Sequence, residues 1–123
     1  MILNHISIGV SDLEKAVSFY DAVLETLSIN RTHYIENAAA AYGERFEFWI
    51  GYPIEGRATS GNGVHVALNA PSKDAVMRFY QTALELGGQC EGQPGPRPEY
   101  GETYYAAFVR DLDGNKLEAV FMQ

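Results

Sequence analysis

His5 recurs as His65, and the residues after each copy keep the same order. Ile6-Ser7-Ile8, a turn, Phe19-Tyr20 and Leu24-Glu25 follow the first; Val66-Ala67-Leu68, a turn, Phe79-Tyr80 and Leu84-Glu85 follow the second. Every pair is 60 positions apart (65−5, 79−19, 80−20, 84−24, 85−25). One register held across a strand, a turn and a helix means one supersecondary unit used twice. It also puts a potential metal ligand at the same place in both copies.

The alternation of Ile6, Ile8 and Val10 with His5, Ser7 and Gly9 is the period of a strand. Ser11-Asp12-Leu13-Glu14 resembles a capping box with Ser11 at the N-cap. Leu13, Ala16, Val17, Tyr20, Val23, Leu24 and Leu27 then make one apolar helical stripe. Two short strands are expected at 38–42 and 44–51, and a turn-rich hinge from Tyr52 to Gly63. The second half repeats the plan with a strand at 64–69 and a helix begun by Pro71-Ser72 and stopped at Gly87-Gly88. An irregular loop is expected from Gly92 to Gly101, then strands at 104–110 and 116–122 joined by a turn at Asp111–Asn115. The modules are thus 1–57 and 62–123 of a single domain.

A chain of 123 residues with 46% hydrophobic and 20% charged content can bury one ordinary core. A net charge of −7 would repel nucleic acid, and nine Lys and Arg scattered along the chain make no basic patch. Cys90 is the only cysteine, so neither an internal disulfide nor a thiolate zinc cluster is possible. No basic segment leading into an apolar run opens the sequence, and no apolar run approaches membrane-spanning length. The expectation is a cytoplasmic protein with no membrane and no nucleic-acid partner.

By strand parity His5 and His65 point away from the helices, beside the small residues Ser7, Gly9 and Ala67. Glu47 in Phe46-Glu47-Phe48-Trp49-Ile50 and Glu118 in Leu117-Glu118-Ala119 also oppose large apolar neighbours. A carboxylate within an apolar strand is costly to bury unless something compensates it. Taken singly, each histidine reads as a polar residue near a strand edge. The repeated position of both and the shared facing of the glutamates favour a divalent site of His5, Glu47, His65 and Glu118.

The opening Asn4-His5-Ile6-Ser7-Ile8 with Ser11-Asp12-Leu13, the central Gly63-Val64-His65-Val66-Ala67-Leu68 and the closing Ala107–Glu118 stretch resemble the vicinal oxygen chelate superfamily. That superfamily includes glyoxalase I, extradiol dioxygenases, fosfomycin-resistance proteins and bleomycin-binding proteins. The resemblance implies an α+β fold of two βαβββ modules forming a curled mixed sheet around a metal and substrate cavity. It places the metal ligands at His5, Glu47, His65 and Glu118. One divalent ion (zinc, nickel, cobalt, manganese or iron) is implied, with Glu118 or Glu47 as the base for a small substrate bearing adjacent oxygens. Glyoxalase I carries an arginine four residues after the first histidine and an asparagine four after the first glutamate, both for glutathione; here these are Gly9 and Gly51. The expectation is therefore a glyoxalase-like lyase or isomerase with another substrate, in a homodimer. The alternatives are a metal-free binding protein of the antibiotic type, a dioxygenase, and, weakest, a thiol transferase. Arg97, Tyr100 and Tyr105 are expected to reach the substrate from the 92–105 segment, with Trp49 walling the pocket.

Overall fold

The computed structural model describes residues 2–123. In chain order the elements are β1 (Ile6–Gly9), α1 (Leu13–Glu25), β2 (Arg31–Ile35), β3 (Ala39–Tyr42), β4 (Phe48–Gly51), β5 (His65–Asn69), α2 (Lys73–Glu85), β6 (Gln89–Pro96), β7 (Tyr104–Arg110) and β8 (Lys116–Met122). They make two four-stranded sheets, β1-β4-β3-β2 and β5-β8-β7-β6. In each sheet the first strand runs parallel to the last and the other pairs are antiparallel. Each half is a βαβββ unit with a mixed sheet, and the fold class is α+β. The two sheets remain separate rather than closing on one another.

Both helices start where a short polar side chain replaces a missing backbone acceptor. For α2 that residue is Ser72, whose Oγ accepts from the Ala75 N–H at 3.0 Å. For α1 it is Asp12, accepting from the Lys15 N–H at 3.1 Å, rather than the expected Ser11. Ser11 instead donates its N–H to Oδ1 of Asp113, 102 residues away. The α2 terminus follows the expected stop: Gly87 at φ +102° lets its own N–H reach Leu84 O and that of Gly88 reach Ala83 O.

The helical stripes bury Phe19, Tyr20, Val23 and Leu24 on α1 and Val76, Phe79 and Ala83 on α2. One apolar cluster gathers these with Ile50, Val109 and Leu117 from the helix-facing sides of the sheets. The halves are also joined by polar contacts. Tyr20 donates its hydroxyl proton to Asp111 Oδ2 at 2.6 Å, while Asn115 Nδ2 donates to Asp111 Oδ2 and to Gly9 O. The backbone N–H groups of Asp113 and Asn115 complete the shell of Asp111 through Oδ1. The turn expected from Asp111 to Asn115 is thus also a clamp between modules.

Four strand readings need correction. β2 was not foreseen, because Arg31-Thr32-His33-Tyr34-Ile35 is an edge strand exposed along its whole length and carries no buried face to betray it. The strand expected from residue 44 begins only at Phe48, since residues 43–47 form a turn with Phe46 at φ +57°. Of the loop expected from Gly92 to Gly101, only residues 97–101 remain a turn; residues 92–96 belong to β6, whose prolines are accommodated on a sheet edge with two register shifts. Val64, expected to open the strand at 64–69, precedes β5 and is exposed.

Candidate functional site

Side chains at paired positions on neighbouring strands share a face. Across the second sheet, Ala67 pairs with Glu118, Glu118 with Phe108, and Phe108 with Gly92. This row crosses the face turned away from the helices, with His65 and Lys116 paired beside it. A cavity of about 520 Å³ opens on that face, lined by His65, Glu118, Tyr104, Phe108, Lys116 and Arg97 among others. Every lining residue comes from the second half of the chain.

Glu118 is only 2% exposed and is a large polar side chain buried at this depth. Its Oε2 accepts the hydroxyl proton of Tyr104, and its Oε1 lies 3.1 Å from Nε2 of His65. Burial, and then the hydrogen bond to Glu118, push the Tyr104 phenol up to about 12. Tyr104 therefore stays protonated and keeps donating to the carboxylate. His65, more exposed, presents its ring edge to Phe108 with centroids 5.9 Å apart.

Arg97 lines the cavity, and its guanidinium donates to Gly95 O, Pro96 O and Gln93 O. It staples the bulged β6 while holding its charge at the wall. Tyr100 stands at the rim, largely exposed, edge-on to Tyr104 at 5.4 Å. Tyr105 is not in the cavity: parity turns it to the helix side, where Lys73 Nζ sits 5.4 Å from its ring centre. Tyr104, Phe108 and Lys116 were missed from sequence. The alternation of Tyr104-Tyr105-Ala106-Ala107-Phe108, read against Glu118, was the signal for the first two.

In the first half the expected residues lie elsewhere. His5 is exposed, with Nδ1 2.7 Å from Asn4 Oδ1. Glu47 is also exposed, and its Oε1 accepts from the Arg45 N–H at 2.8 Å. Trp49 donates Nε1–H to Phe46 O and packs among His33 and Phe46, 6.0 and 6.1 Å between ring centres. None of the three lines the cavity. The structure brings His65 and Glu118 together and does not bring His5 or Glu47 to them; among the described residues no three His, Cys, Asp or Glu side chains converge within one chain. In an octahedral shell two donors each about 2.1 Å from one ion stand about 3.0 Å apart, so the His65–Glu118 spacing suits adjacent ligands.

The sequence profile of the Glyoxalase/Bleomycin resistance protein/Dioxygenase superfamily matches residues 2–119. The chain belongs to this superfamily. It is 31% identical to a probable lactoylglutathione lyase of Synechocystis, over 98% of this chain and 95% of that protein. A glyoxalase/bleomycin resistance protein from Albidiferax ferrireducens superposes with a TM-score of 0.90 at 34% identity, covering both chains fully. A genomically encoded fosfomycin resistance protein from Listeria monocytogenes shares the fold alone, with a TM-score of 0.71 at 17% identity over 100% of this chain and 94% of that one. Members of the superfamily bind small molecules, and the glyoxalases among them depend on a divalent metal. No described helix is long and apolar enough to cross a membrane.

Proposed function

We propose that this chain is a metal-dependent lyase or isomerase of the glyoxalase-like type, acting on a small substrate with adjacent oxygens. The observation that carries the reading is the buried Glu118 carboxylate, held by Tyr104 on one oxygen and facing His65 with the other, at the wall of an open cavity. His65 and Glu118 would hold the ion together with His5 brought by the first module of a second copy, in a homodimer. A divalent cation there would supply Lewis-acid polarisation of the substrate's paired oxygens. Tyr104 orients Glu118 by fixing Oε2, and Oε1, once free of any ion, would be the atom able to take a proton from a carbon beside a carbonyl.

Glutathione is disfavoured as a co-substrate. A side chain at Gly51 would meet Ala38 O at 2.7 Å and Ala39 Cβ at 2.9 Å, so the asparagine expected there for a glutathione enzyme has no room. Gly9 likewise offers no side-chain donor.

A metal-free binding protein is the second reading, favoured by the absence of three converging ligands within one described chain. Adding nickel, cobalt, manganese, zinc or ferrous ions to stripped protein separates the two, because an ion bound only by the folded state raises the melting temperature. The enzyme reading further expects deuterium from heavy water to enter the carbon next to the carbonyl of hydroxyacetone. No melting shift with any ion and no exchange would leave only the binding reading.

A further inference from the structure

Three cationic or cation-capable groups surround one aromatic ring in the cavity. Lys116 Nζ lies 5.3 Å from the Phe108 centroid, Arg97 Cζ 5.6 Å, and the His65 ring 5.9 Å. All four residues line the same cavity. Its carboxylates are largely engaged: Glu91 pairs with Arg110 at 3.1 Å, and Glu118 is held by Tyr104 and His65. Glu99 remains at the exposed rim. Among the described residues Lys116 has no ion-pair partner.

From this we infer that the cavity takes a carboxylic acid, its carboxylate seated at Lys116 beside Arg97 and the rest of the molecule reaching toward His65 and Glu118. The inference rests on the proposed function only in taking this cavity as the ligand site. Lys116 and Glu118 are two residues apart on one strand face, roughly 7 Å along the strand. That separation suits a short acid whose carbonyl or hydroxyl lies within a few bonds of its charged end. One unpaired ammonium, beside a guanidinium already engaged by three carbonyls, matches a monoanion better than a phosphate dianion.

Lactate and its uncharged counterpart lactamide, titrated into the intact protein in the presence of chelator, test the assignment. Binding is read from the NMR signals around Phe108. Lactate should bind with lactamide roughly tenfold weaker or worse, the effect of losing one charge-assisted hydrogen bond. Lys116→Gln should bring lactate down to the lactamide level, and Lys116→Arg should restore it. Equal binding of both probes, an unchanged lactate affinity in Lys116→Gln, or no response at Phe108 to either probe would overturn the inference. Because chelator is present, the outcome is independent of the ion response that decides the enzyme reading.

Discussion

Trp49 holds in the first half the place that Glu118 holds in the second. Trp49 pairs with Ser7 and Glu118 with Ala67, and these partners are 60 positions apart (67−7), the offset of the repeat. The same register matches Lys116, paired with His65, to Glu47, which immediately precedes Phe48, the partner of Ile6. The two glutamates that looked equivalent in sequence are therefore not equivalent in the sheets. Glu118→Gln is expected to abolish the melting shift produced by divalent ions, whereas Glu47→Gln should keep most of it. Thermal melts of both variants with and without nickel check this, and equal losses would restore Glu47 to the same rank.

Tyr104 gives the pH dependence a sign. Its phenol is raised from 10.0 to about 12, first by burial and then by its bond to Glu118. The folded chain therefore holds that proton more tightly than the unfolded one. The contribution is complete below pH 10 and is lost as pH climbs toward 12. Burial and Asp111 raise Tyr20 in the same direction, and burial and Asp21 raise Tyr42. Stability should fall steeply above pH 10, and less steeply in Tyr104→Phe. At neutral pH that variant should lose about 1–3 kcal/mol, because a buried carboxylate oxygen loses its donor. Urea titrations across the alkaline range are the measurement.

Much of the fold was readable because burial writes period into sequence. β7 and β8 were bounded correctly, since Tyr104–Arg110 and Lys116–Met122 each bury one face against α2. β2 left no such trace: with both faces exposed, its residues obey no apolar alternation. The site was half legible. His65 and Glu118 share a face by parity, and the structure sets them 3.1 Å apart. Glu47 parts from Glu118 because the left-handed turn at Phe46 starts the strand one residue after it, and pairing register is not visible in one strand alone. Tyr105 misled for a simpler reason: the adjacent Tyr104 has the same chemistry and the opposite facing.

Asp111 should matter for stability more than any other single acidic residue of the turn. It accepts from Tyr20, from two backbone N–H groups and from the Asn115 amide while nearly fully buried. Asp111→Ala orphans those donors together and should cost roughly 2–5 kcal/mol. Tyr20→Phe removes one of the same bonds, so the double variant should lose less than the two single losses combined. Denaturant midpoints of the four proteins decide it, and strict additivity would deny the network.

If two copies share each site, His5→Ala and His65→Ala should each remove the ion response while leaving the chain folded and dimeric. Neither residue is buried, and neither belongs to the apolar cluster, so folding has no reason to fail. Mixing the two variants then becomes informative. In a mixed dimer one site collects both substitutions and the other collects none. With random reassociation half the dimers are mixed, so about a quarter of all sites should regain the ion. Calorimetric titration of nickel into the reassociated mixture gives that fraction directly. A mixture as silent as its components would deny a site shared between copies, and a compact monomer on gel filtration would remove His5 from the company of His65 and Glu118.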